Sequence, residues 1–219
     1  MRNVCYIVAM INTTEAIEFV GGLSAPSKMP CQGYSLSALR CITGKKMAKV
    51  EGSICSKCYA LRGNYRYENV QNAQEKRFEA LQKPEWVEAM ICAINGSESS
   101  GFFRWHDAGD LQGVWHLQKI VDVCKGTPAI KHWLPTREFK IVCDFVRGGG
   151  VIPENLCIRF SALMFDGVPP IELAKKSGVQ VSGASKENFT CPASKQGNKC
   201  LTCRACWDKN TFEVTYKRH

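Results

Sequence analysis

Long hydrophobic runs are missing from this chain. Its opening Val4–Ile11 is apolar but falls far short of the roughly 20 residues that a membrane-spanning helix needs. No small-x-small cleavage site follows, so a buried strand is expected there and not a targeting segment. Lysine and arginine never form a run of five or more, which excludes a polybasic tail. Internal repeats and low-complexity tracts are also absent, which excludes a solenoid or a disordered linker. Histidine is scarce at four residues, and His106, His116 and His132 have no metal-ligand spacing among themselves. They are expected to be packed or surface side chains.

Cysteine, by contrast, is abundant: 13 in 219 residues. An odd total, clustered as Cys-x2-Cys, argues against a secreted disulfide framework and for a reducing cytosol. The length fits one α/β domain over residues 1–219, with cysteine-rich loops at 24–66 and 186–210. Basic residues exceed acidic ones by 29 to 20, a formal +9, which allows a nucleic-acid or phosphate-bearing partner.

The densest signal runs from Thr190 to Trp207, where Cys191-Pro192 is followed by Cys200, Cys203 and Cys206. Two-residue gaps wrap a backbone ribbon around a compact inorganic core and present a thiolate at each turn. Iron–sulfur proteins use such a run with a cysteine beside proline, so a four-iron cluster is expected on these residues. Zinc, which more often takes two separated knuckles, is the other metal that such thiols hold. A second site is expected at Cys55-Ser-Lys-Cys58-Tyr59, with further sulfur from Cys41 or Cys31. Three thiols there would leave one iron open to a small molecule, and four would close it. Tyr59 and Trp207, each next to a cysteine, are candidate cofactor-binding aromatics. Cys5, Cys92, Cys124, Cys143 and Cys157 lie in apolar patterns and read as small buried residues.

Helical spacing marks Asn12–Gly22, a segment from Val70 to Pro84, and Glu85–Asn95. Strands and helices then alternate: strand Phe102–His106, helix Leu111–Cys124, strand Ile130–Leu134, helix Glu138–Val146, strand Leu156–Phe160, helix Pro170–Ser177, strands Val179–Ser182 and Thr211–Tyr216. Single helices between strands imply parallel pairing. The units are too short for a full eight-fold barrel, so a partial or irregular TIM-barrel-like body is expected. In the helix from Leu111 the inner side is expected to hold Leu111, Val114, Trp115, Gln118 and Val121, and Trp86, Trp115 and Trp133 are expected in the core. Polar residues recur at strand exits, and Arg104, Asp107, Asp110, Thr136 and Arg137 are the candidate catalytic or substrate-positioning groups. Asp107, Thr136, Ser161 and Ser182 are alternatively helix caps.

Lys28-Met-Pro-Cys31, Cys55-Ser-Lys-Cys58-Tyr59-Ala60, Arg104-Trp-His-Asp107 with Gly109-Asp110, and Cys191-Pro192 through Cys206-Trp207 resemble a family of phage proteins named for gene product eighty-eight of a mycobacteriophage. The resemblance implies a phage-encoded protein in the cytoplasm of a bacterial host. More distantly, Cys55-x2-Cys58-Tyr59-Ala60 before an α/β repeat is similar to phage proteins related to the radical S-adenosylmethionine enzymes, which implies S-adenosylmethionine at an open iron. Those enzymes use Cys-x3-Cys-x2-Cys, whereas the cysteine preceding Cys55 here is Cys41. Two functions follow: an iron–sulfur protein with an electron donor, acting in redox or radical chemistry, or a nucleic-acid-binding module whose loops a metal staples.

Overall fold

A computed structural model describes residues 12–218 of the chain. The strand expected at Val4–Ile11, and Cys5 with it, lie outside the described residues. Six strands, β1 (Gly33–Tyr34), β2 (Phe102–Trp105), β3 (Lys131–Thr136), β4 (Leu156–Ser161), β5 (Gln180–Ser185) and β6 (Glu213–Lys217), form one sheet in sequential order. All five pairings are parallel, and among the described residues the sheet does not close, with β1 and β6 at its two ends. The described residues also form helices α1 (Thr13–Phe19), α2 (Ile42–Met47), α3 (Glu68–Gln82), α4 (Trp86–Ser97), α5 (Val114–Gly126), α6 (Phe139–Arg147) and α7 (Ile171–Lys176). None of the described helices is long and apolar enough to cross a membrane.

Alternation along the strands divides the sheet into two unlike faces. Phe103, Leu134, Ile158, Phe160 and Val181 point to one face, where Trp86, Met90, Leu117, Ile120 and Phe145 meet them in a continuous apolar core. Opposite, Phe102, Arg104, Trp133, Arg159 and Val214 share the other face by register. There Trp133 and Val214 pack against Cys31, Cys206 and Trp207, which belong to loops. The connection from β5 to β6 thus lies over the face without helices.

Local chemistry accounts for the element ends. A capping box joins Asn12 and Glu15 at the start of α1, satisfying two otherwise unpaired N–H groups. In α4, Trp86, Ala89, Met90, Ala93 and Ile94 form the buried stripe that their spacing predicts. Helix α5 differs from its expected form. It starts at Val114, after Gly113, and buries His116, Leu117, Ile120, Val121, Val123 and Cys124. Trp115 is instead 42% exposed, because the shifted start rotates the apolar stripe by about one residue. Helix α3 likewise buries Gln74 and Arg77 alongside Ala80 and Leu81, leaving Val70, Ala73 and Phe78 half-buried. Arg77 is drawn inward by Ser35 Oγ at 2.7 Å and the Gly22 carbonyl at 2.9 Å.

Before β2 the expected structureless loop contains β1, α2 and a series of short 3-10 turns. This segment is a layer over the carboxyl ends of the central strands. Ile54 N donates to the Leu163 carbonyl at 2.9 Å, and Phe165 N donates to Gly52 at 3.1 Å, tying the layer to the chain after β4. At Gly109, φ is +82° and a Cβ would stand 2.7 Å from both Leu36 Cβ and its carbonyl oxygen. Only glycine permits that approach, and it sets the next residue, Asp110, under the layer.

Candidate cysteine sites

Cys191, Cys200, Cys203 and Cys206 line one cavity of about 290 Å³, together with Ala193, Trp207 and Val214. Local hydrogen bonds bring them there. Cys203 N donates to the Cys200 carbonyl at 2.9 Å, closing the knuckle, and Cys191 N donates to Thr215 of β6 at 2.9 Å. Leu201 adopts φ +44°, a left-handed conformation that costs an L residue about 1–2 kcal/mol. That turn separates Cys200 from Cys203.

Arg159 holds the far side of the loop. Its guanidinium is fully buried and donates to six backbone carbonyls, those of Val181, Ala205, Cys206, Asp208, Thr211 and Phe212, at 2.7–3.2 Å. Main-chain dipoles stand where a buried arginine more often has a carboxylate. Trp207 donates its indole N–H to the Phe103 carbonyl at 2.9 Å and packs edge-on against Phe102 and Trp133. It is therefore a wall of the cavity and a bolt between loop and sheet.

Cys31 is placed here and not beside Cys55 and Cys58. Cys200 N donates to the Lys28 carbonyl at 2.9 Å, which draws the Lys28–Cys31 turn across the sheet face. The chain is thereby folded so that Cys31 joins the Cys206–Trp207 cluster. Burial pushes the thiols of Cys31 and Cys206 up to about 12 and raises that of Cys200. Arg104 opposes the rise at all three. Its guanidinium lies 4.6 Å from the Trp133 ring centre and 3.5 Å from Met29 Sδ, while its Nε has no partner among the described residues. A positive charge with spare hydrogen-bonding capacity thus faces a group of sulfurs.

The second set lies under the layer that covers the strand ends. Cys41 is the N-cap residue of α2, and Cys58 N donates to the Cys55 carbonyl at 3.2 Å across a single turn. A Cβ built on Gly44 would stand 3.5 Å from Cys41 Sγ and 3.7 Å from Cys55 Sγ, so two sulfurs border one small space. Burial raises both thiols, and Cys58, Asp110 and Glu138 add to the effect. Arg137 counters it at Cys55.

Asp110 accepts from Thr136 Oγ1 at 2.6 Å, Arg137 N at 2.9 Å and Leu111 N at 2.8 Å. Burial outweighs these bonds and lifts its carboxyl to about 6. Glu138, which sequence reasoning passed over, accepts from Thr43 N at 2.6 Å and Thr43 Oγ1 at 2.8 Å, capping α2 from 95 residues away. Pairing at that separation has no local sequence signal.

Of the five candidate catalytic groups, Asp110, Thr136 and Arg137 are thus brought together beside Cys41 and Cys55. Arg104 and Asp107 belong to another group. Asp107 accepts from Ser24 Oγ at 3.1 Å and Tyr65 Oη at 3.0 Å, and its carbonyl accepts from the Tyr59 hydroxyl. Tyr59 is an anchor for the layer, although the residue as a whole is 55% exposed. None of the proposed caps acts as one for the following helix, whose N-cap residues are Gly113, Glu138 and Pro170. Ser161 and Ser182 instead bond to each other at 3.2 Å.

His106, His116 and His132 are all buried, and His106 takes φ +59°. Desolvation lowers His106 to about 4, His132 to about 3 and His116 well below its ordinary value. Cys31, Cys41, Cys55, Cys58, Cys191, Cys200, Cys203 and Cys206 are free thiols, and no group of three or more His, Cys, Asp or Glu among the described residues converges to hold a metal ion.

Comparison with known proteins gives a family and nothing finer. No curated protein and no solved structure matches the chain. The family model described as gene product 88 matches residues 8–209, a span that contains both cysteine sets and the strand exits between them. The chain belongs to the gene product 88 family, the one its motifs resemble.

Proposed function

We propose that this phage-family chain is an iron–sulfur protein of the host cytoplasm in which Cys191, Cys200, Cys203 and Cys206 hold one four-iron cluster. The observation that carries this reading is the gathering of all four thiols around a single cavity of about 290 Å³. A cluster keeps its cysteines around a volume, whereas a lone zinc ion draws them to a point. Arg104 offsets the negative charge of such a site, and Trp207 and Val214 exclude water from it. Cys31 stands as an adjoining fifth thiol.

Cys41, Cys55 and Cys58 would hold a second metal group at the mouth of an incomplete, barrel-like wall. When bound, such groups supply electron transfer or an open iron. This chain's own contribution there is Asp110, which Thr136 and the Arg137 N–H orient, and the Arg137 guanidinium, suited to a carboxylate or phosphate.

Anaerobic purification tests this directly. The expected protein is brown, with broad absorbance near about 400 nm and about four irons and four sulfides for each occupied site. Cys203→Ser should remove the C-terminal complement and Cys55→Ser the other. A colourless protein with stoichiometric zinc and no sulfide overturns the proposal. Adding S-adenosylmethionine to the reduced protein, with spectral change lost in Cys55→Ser, tests the open-iron form of the second site.

A further inference from the structure

Between Leu39 and Tyr67 the chain carries seven basic residues against Glu51 alone, so this short layer holds +6 of the formal +9. Arg40 is engaged with Glu75 and Phe78. Lys45, Lys46, Lys49, Lys57, Arg62 and Arg66 are exposed, and among the described residues no acid lies within ion-pair distance of them. The same stretch supplies half of the large apolar side chains exposed among the described residues. They include Tyr59 at 55%, Tyr67 at 61% and Leu39 at 62%.

These residues belong to one layer. The Ala38–Arg40 turn packs against Tyr59–Leu61, and α2 packs against Cys55–Lys57. Its inner side is tied to Asp107, Glu138 and Leu163, beyond β2, β3 and β4. Its outer side is the charged one.

We infer that the outer side of this layer binds single-stranded nucleic acid, a function beyond the cluster-holding role proposed above. Unpaired cations give phosphate neutralisation, and exposed tyrosines interleaved with Arg62 and Arg66 give stacking surfaces for bases. An acidic protein would use the cations but would leave the tyrosine rings idle. A duplex hides the faces of its bases, and the six residues of α2 are too short a helix to read a groove. A strand laid here passes over Cys41, Cys55 and Asp110, which lie just beneath.

The test is fluorescence polarisation of the full chain with a labelled oligothymidylate. Six engaged cations predict a slope near −4 for log affinity against log salt, about a 300-fold loss between about 50 and 200 mM. The Lys46→Glu, Lys49→Glu, Arg62→Glu triple variant should abolish binding at the higher salt. A charge-matched control, Lys125→Glu, Lys175→Glu, Lys176→Glu, should bind within about twofold of the parent, since those residues lie outside the layer. Tyr67→Ala should weaken binding about tenfold with the slope unchanged, the low end of what one stacked base contributes.

No binding at low salt, an equal loss in the control, or full affinity in Tyr67→Ala overturns the inference. Displacement of the oligonucleotide by polyglutamate at equal charge concentration also overturns it, in favour of an acidic protein. Metal and sulfide content are read separately on the same samples, so failure of the iron–sulfur reading leaves this measurement intact.

Discussion

The two faces of the sheet are built on different principles. On the helical face, Phe103, Leu134 and Phe160 meet Trp86, Leu117 and Phe145, and the packing is mainly apolar, with a few buried histidines set into it. On the other face the cover is loop, its carbonyls gathered by one buried arginine and its thiols turned toward a cavity. A face of the first kind is stabilised by area removed from water. A face of the second kind depends on a few polar connections, each with a large consequence.

The contrast is broken most sharply at Arg159. Replacing it with methionine leaves six carbonyls without their donor and should cost about 4 kcal/mol, read by urea unfolding. Metal content per folded molecule should fall with it. Leu134→Ala, on the helical face, should cost about 3 kcal/mol through the cavity it leaves, yet under the proposed iron–sulfur reading the folded fraction should match the parent in metal content. Equal metal loss in both variants would show that the faces are not separable.

Acid should act on the helical face next. Buried His106 and His132 titrate at about 4 and about 3 when folded, against 6.5 when unfolded. The unfolded chain therefore binds more protons below 6.5, and stability falls as pH drops. Each histidine should remove about 1 kcal/mol between about pH 6.5 and 5.5, measured as a shift in urea midpoint. Asp110 has the opposite sign, because its raised carboxyl takes up a proton in the folded state as pH falls through about 6. Asp110→Asn should accordingly steepen the acid loss below pH 6.

Smallest is Tyr34→Phe. The Tyr34 hydroxyl lies 2.7 Å from the Val20 carbonyl and 2.8 Å from that of Arg77, and accepts from Trp86 Nε1 at 3.2 Å. Its loss should cost about 1 kcal/mol, with little effect on the cysteine face.

What could be read from the sequence follows the range of each signal. Alternating strand and helix patterns from Phe102 to Ser185 carry their periodicity locally, and the parallel order follows from it. The four thiols after Thr190 were legible because spacing alone brings them together. The choice between Cys41 and Cys31 beside Cys55 stayed open in the sequence, since the position of Cys31, packed with Cys206 and Trp207, depends on a backbone bond between Lys28 and Cys200. Trp115 was placed inside because apolar residues before α5 blurred its start at Gly113. Arg77 and Glu138 serve elements far from them in sequence, and a periodicity argument reads both as solvent-facing.

Trp207 reaches back 104 residues to the carbonyl of Phe103. During synthesis, all six strands except β6 can leave the ribosome before the span that closes over them is complete. The sulfur-lined face should then stay open until β6 emerges and pairs with β5. Released chains truncated before β6 should react with thiol reagents at Cys206 faster than the full chain, in which that thiol is buried.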